Sequence, residues 1–160
     1  MSKLPALFVD SNVLIEAVFL PDSAAAIVAD MVVSGVFDMV TCQQVVNDVE
    51  TAIIRKCASK PDELDTAIDR WSKLLEATRL KVLPDPPFSV VQEVYNKYIG
   101  VMRHKADIPI LAAALECLPP VHVILSGNTE HFNPAVATRS GVRICSCAEF
   151  VEMLGRSPKT

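Results

Sequence analysis

Short apolar runs alternate with longer segments of helical period along nearly the whole chain, and this alternation constrains the fold more than any other feature. Leu7-Phe8-Val9, Phe37 to Thr41, Leu80 to Leu83, Val121 to Leu125 and Val142 to Cys145 read as five short buried strands. Between them lie Asn12 to Phe19, Ala24 to Val33, Gln43 to Lys56 with Val45, Val46, Val49 and Ile53 on one face, a helix opened by Pro61 with Leu64, Ile68, Trp71 and Leu75 on one face, a helix from Ser89 to about Gly100, and Ile108 to Leu118. A last helix runs to Leu154 and stops at Gly155. Strands separated by helices pair in parallel through crossovers, and the helices cover both faces of the sheet. The expected architecture is one three-layer α/β/α domain with a mainly parallel central sheet over residues 1–155, followed by a frayed tail at 156–160.

Capping chemistry sets the expected helix starts. Ser59 before Pro61, Ser89-Val-Val-Gln92 and Ser146-Cys-Ala-Glu149 have the spacing of N-terminal caps or capping boxes. Pro109 sits in a first turn, where its missing N–H costs nothing.

The chain has 160 residues, enough to bury a substantial core without disulfides. Although 51% of it is hydrophobic, no apolar run reaches the roughly 18 residues of a membrane span. Met1 to Pro5 lacks the pattern of a signal peptide, so a cytoplasmic protein with no membrane association is expected. Cys42, Cys57 and Cys117 read as core side chains; Cys145 and Cys147 form a closer pair, but no second Cys/His pair completes a zinc site. The net charge of −4 excludes binding nucleic acid by bulk attraction. Any RNA contact must use bound cations and a local patch, for which Arg103 and Lys105 are the candidates; the alternative for both is a solvated loop.

The candidate chemistry is carboxylate. Open parallel sheets place ligands beyond the carboxyl ends of their strands, and Asp10 and Asn128 both follow expected strands. Asp10, Ser11 and Asn12 are also favoured capping types, so capping competes with function there. Asp107 projects near the apolar stripe of Leu111, Ala114, Leu115 and Leu118, where a carboxylate needs a partner, a metal or a capping role. Asp48 and Glu50 each lie about 100° from the centre of their helix's apolar stripe, on opposite sides, and periodicity does not choose between them. Hard cations such as Mg²⁺ take oxygen ligands and few carboxylates, and a metal-activated water hydrolyses a phosphodiester without a nucleophilic Ser or Cys. The three histidines show no zinc-ligand spacing, and neither a Gly-rich phosphate loop nor a Gly-x-Ser-x-Gly elbow is present.

Taken together, the segments Leu7–Ile15, Val45–Lys56, Lys105–Leu115 and Ile124–Phe132, closed by Val142–Phe150, resemble the PIN-domain family, and most closely its toxin-like nucleases from toxin–antitoxin pairs. The matched segments cover about half the chain. The resemblance implies a Mg²⁺- or Mn²⁺-dependent endoribonuclease in which Asp10, Asp48 and Asp107 bind metal and Asn128 completes the site, with Asn12, Ser126 and Glu50 as secondary candidates. It also implies a cognate antitoxin and a homodimer. Two positions depart from the family pattern: Asp48 stands where a Glu is usual, and His122 where many relatives carry Asp.

Two other readings compete. A degenerate PIN fold would bind RNA or a partner protein without cleaving. A haloacid-dehalogenase-like phosphatase would use Asp10 as nucleophile, but its acid/base position is Asn12, whose amide does not shuttle protons.

Overall fold

The computed structural model describes residues 4–102 and 104–155. Its centre is a sheet of β1 (Ala6–Val9), β2 (Asp38–Cys42), β3 (Lys81–Leu83), β4 (Val123–Leu125) and β5 (Arg143–Cys145), ordered β3-β2-β1-β4-β5. All four strand pairs are parallel. β1 lies in the middle, with Leu7 opposite both Met39 and Val123. Leu7, Phe8 and Val9 are fully buried, which is why the strand reads as a continuous apolar run and not an alternating one.

Among the described residues, eight helices surround the sheet: α1 (Ser11–Phe19), α2 (Ala24–Val33), α3 (Gln43–Lys56), α4 (Pro61–Thr78), α5 (Phe88–Tyr98), α6 (Ile108–Glu116), α7 (Pro134–Ser140) and α8 (Cys147–Gly155), with a 3-10 turn at Lys105–Asp107 before α6. α1, α2, α3, α4 and α8 form one connected group, whereas α5 packs on α6 and α6 on β2. The chain runs outward from β1 to β3 and then returns across the sheet to β4, so right-handed crossovers put these two groups on opposite faces. Among the described residues, no single helix is long and apolar enough to cross a membrane.

The structure corrects several expected helix ends. Ser59 caps nothing: α4 starts after Lys60 without a side-chain cap, with Pro61 in its first turn and Asp62 and Glu63 facing the helix dipole. The expected Ser89 box is displaced because Pro87 already begins α5, its carbonyl accepting from the N–H groups of Val90 and Val91. The Ser146–Glu149 box is present in both directions, each bond 3.1 Å long. α6 ends at Glu116, short of Leu118, because a residue before proline is driven out of the helical region. α7 was not expected. Its signals are nevertheless standard ones: Asn133 accepts from Val136 N–H at 3.1 Å, Pro134 follows it, and Gly141 ends the helix at φ 73°.

The core therefore depends on α6 seated against the sheet, with Leu111 fully buried and Leu118, just beyond the helix, 77% exposed. Leu111→Ala should destabilise the protein by about 2–5 kcal/mol. Leu118→Ala should change stability by no more than about 0.5 kcal/mol. Urea unfolding of the two variants checks the pair.

Candidate active site

The strand order reverses beside β1: β2 and β3 lie on one side of it, β4 and β5 on the other. A crevice opens at such a point beyond the carboxyl ends of β1 and β4. Asp10 is the first residue after β1 and Ser126 the first after β4, and both still belong to the sheet's last rung. Asp10 N–H donates to Leu125 C=O at 3.0 Å, and Ser126 N–H to Cys145 C=O at 3.1 Å. Asp10 is 5% exposed. One carboxylate oxygen accepts from Ser11 N–H at 2.7 Å, capping α1, and the other accepts from Ser126 Oγ at 3.0 Å. Capping and site geometry are thus combined in one side chain. Asn12 Oδ1 accepts from Gly127 N–H at 2.9 Å, and a Cβ on Gly127 would stand 3.3 Å from Asn12 Cγ, so a larger residue there would push the Asn12 side chain by a few tenths of an ångström.

Asp107 occupies the N-cap position of α6 but makes no capping bond. Its carboxylate turns instead to His131, whose Nδ1 lies 2.6 Å from Oδ2. The contact is at ion-pair distance without hydrogen-bond alignment, and Oδ2 is left buried with no donor. The His104 ring stacks on His131 with centroids 3.6 Å apart, and the Asn128 amide nitrogen lies 3.1 Å from His131 Nδ1. Asn128 N–H donates to Ser126 Oγ at 3.1 Å. A strap of contacts therefore runs from Asp10 through Ser126, Asn128 and His131 to Asp107. Gln44 fixes the far side: its Nε2 donates to Ala106 C=O at 2.9 Å, and its backbone N–H donates to Asp85 Oδ1 at 3.0 Å.

α3 separates the two acids that periodicity left equal. Glu50 Oε2 accepts from Trp71 Nε1 at 3.0 Å, so Glu50 is turned toward α4. Asp48 lies within electrostatic reach of both Asp10 and Asp107.

The three aspartates perturb one another. Burial is the main cause that raises each pKa; beyond it, Asp107 raises Asp10, Asp10 raises Asp48, and Asp48 raises Asp107. The bonds from Ser11 and Ser126 hold Asp10 down in part, as His131 and His104 do for Asp107. Among the described residues, no three His, Cys, Asp or Glu side chains converge tightly enough to hold an ion by themselves. The donor chemistry nevertheless fits a hard divalent cation, which needs only one or two carboxylates with water, and Asp107 Oδ2 is a buried oxygen lacking a positive partner in good alignment.

The remaining candidates take no part in these bonds among the described residues, or lie outside them. Lys105 is exposed, with Nζ 5.9 Å from the Tyr95 ring centroid. Arg103 lies outside the described residues. His122 N–H donates to Ala6 C=O at 2.8 Å, at the amino end of β4 and so at the opposite edge of the sheet. Cys145 and Cys147 are buried, and burial pushes the Cys147 thiol up to about 12, which fits a packed core thiol. Sequence reasoning missed His131, Gln44 and Asp85. Testing histidines only for zinc spacing passed over His131, although it lies three residues after Asn128.

No family model and no curated protein matches the sequence. Solved structures do. FitAcB from Neisseria gonorrhoeae matches with a TM-score of 0.65 and 14% identity, covering 89% of this chain and 98% of that one. VapBC2 from Rickettsia felis, bound to a DNA fragment from their promoter, matches at 0.61 and 10%, covering 88% and 97%. PAE2754 from Pyrobaculum aerophilum matches at 0.58 and 16%, covering 96% and 91%. The fold is PIN-like. At these identities the likeness establishes architecture, and within the PIN-like sheet the acids after β1 and before α6 take their meaning from the geometry above.

Two predictions follow from the electrostatics and from α3. A carboxyl whose pKa rises above its ordinary value near 3.8 on folding binds more protons folded than unfolded. Its contribution therefore weakens stability as pH climbs from about 3.8 through the raised pKa. In EDTA, Asp107→Asn should flatten this part of the wild-type decline and melt at an equal or higher temperature at pH 7; thermal melts between pH 3.5 and 7 measure the difference. For α3, Glu50→Ala should cost about 1–3 kcal/mol by stranding the Trp71 N–H, and should leave Mn²⁺ binding unchanged, whereas Asp48→Ala should weaken Mn²⁺ binding and spare stability. Urea unfolding and calorimetric titration of both variants separate the two roles.

Proposed function

We propose that this chain is a Mg²⁺- or Mn²⁺-dependent endoribonuclease and the toxin of a toxin–antitoxin pair. The observation that carries the reading is the buried, undonated Asp107 Oδ2 with Asp10 and Asp48 within electrostatic reach of it at the switch point of a PIN-like sheet. Three acids that raise one another's pKa beside a buried, undonated oxygen are stabilised by a divalent cation. Asp10, Asp48 and Asp107 would hold the ion, which when bound supplies an activated water and neutralises phosphate charge. Ser126 and Ser11 hold the Asp10 carboxylate in one orientation. Gln44 holds the turn that carries Asp107. Lys105 and Arg103 are proposed to meet the RNA backbone. Asn12 is engaged by Gly127, which argues against the phosphatase reading, since that position would have to move a proton.

The likeness to the FitAcB and VapBC2 complexes supports an antitoxin partner; a cytoplasmic homodimer is proposed from the sequence resemblance alone. One observation favours a binding domain without cleavage: no three charged ligands converge among the described residues. The experiment that separates the readings is RNA cleavage by the purified chain with Mg²⁺ or Mn²⁺. EDTA should abolish it, and Asp10→Asn or Asp107→Asn should lower it by orders of magnitude with the fold intact by circular dichroism. Undiminished cleavage by pure Asp10→Asn would overturn the site. RNA binding without cleavage in either metal would establish the binding domain.

A further inference from the structure

The contact between His131 and Asp107 is unusual for a simple ion pair. Nδ1 and Oδ2 stand 2.6 Å apart, yet the pair does not meet hydrogen-bond geometry, and Oδ2 has no other donor. The third atom nearby is the end of the Asn128 side chain, 3.1 Å from the same Nδ1. Two donors held at adjacent corners of an octahedral ion, each at 2.0–2.1 Å, are roughly 3 Å apart. The Asp107–His131 and His131–Asn128 separations bracket that spacing. The amide turns its nitrogen toward the imidazole; after half a rotation it presents an oxygen at the same place.

We propose that His131 is a nitrogen ligand of the divalent ion, sharing it with Asp107 Oδ2 and with the Asn128 amide oxygen after that amide turns. The inference rests on the metal-dependent reading above and adds to it a ligand that is not a carboxylate. The His104 ring lies against the His131 ring, 3.6 Å between centroids and tilted by 32°, and restricts its rotation. Ser126 Oγ, accepting from Asn128 N–H while donating to Asp10, ties this ligand group to the β1 acid. An imidazole donor has a specificity consequence. It favours transition ions over Mg²⁺, which prefers oxygen throughout. The chain should therefore bind Mn²⁺ more tightly than Mg²⁺ by a margin that depends on His131.

The test uses the full chain with any affinity tag removed, in a buffer free of nitrogen ligands. Pulsed electron paramagnetic resonance of bound Mn²⁺ should show coupling to an imidazole nitrogen. The coupling should vanish in His131→Ala and His131→Gln and persist in His104→Ala. Calorimetric titration should show Mn²⁺ affinity falling at least about tenfold in both His131 variants, with Mg²⁺ affinity falling less, so that the preference for Mn²⁺ shrinks. Matching circular dichroism melts show that the variants fold. Bound Mn²⁺ without nitrogen coupling, or unchanged or tighter Mn²⁺ binding in His131→Ala, would overturn the ligand assignment and leave the proposed nuclease standing. No Mn²⁺ binding by the wild type would instead overturn the metal-dependent reading itself, and this inference with it.

Discussion

Asp10 is a carboxylate buried at the end of a fully apolar central strand, and the cost of keeping charge there shapes everything around it. Desolvation raises its pKa, and directed donors, with a smaller charge contribution from His131, offset part of that rise. Ser11 N–H is supplied by the start of α1, and Ser126 Oγ by the strand next door. The pairing of β1 with β4 is therefore more than sheet closure. It brings a hydroxyl from a residue 116 positions away onto the first acid.

The second acid of the cluster depends on contacts of the same long range. Asp107 sits on a short 3-10 turn, a weak platform by itself, and Gln44 of α3 fastens that turn through Ala106 C=O. Asp85, from the proline-rich loop after β3, in turn bonds the N-terminus of α3 through Gln44 N–H. The loop from Ser126 to His131 completes the ring from the other side. Each acid is thus positioned by an element distant in sequence, so a small shift of α3 or of the β4 loop changes the distance between like charges.

The net charge of −4 fits this arrangement. For the nuclease proposed above, a divalent ion among these acids would act twice, relieving their repulsion and offering a positive face to phosphate, so that RNA would be drawn without a broadly basic surface.

Much of the architecture was legible along the chain because its cause is local. Continuous apolar strands, helical spacing on α3 and α4, and the Ser146–Glu149 box each follow from side chains within a few residues, and α2 and α3 have the bounds that their periodicity implied. The misplaced Ser89 box and the unexpected α7 show the limit of even local signals, since a proline overrode one and an Asn-Pro-to-Gly pattern was passed over in the other. The carboxylate shortlist was likewise visible as residue types at strand and helix ends. What the sequence did not decide was direction. Asp48 and Glu50 are equivalent on a helical projection, and it is Trp71 of α4, 21 residues beyond Glu50, that turns Glu50 away from the acids. His131 matched no ligand spacing, and only the return of the β4 loop toward α6 sets it against Asp107. Composition and periodicity determined which residues were inside and which elements formed. Tertiary packing decided which of the boundary residues face one another, because distances between like charges are set where separate elements meet.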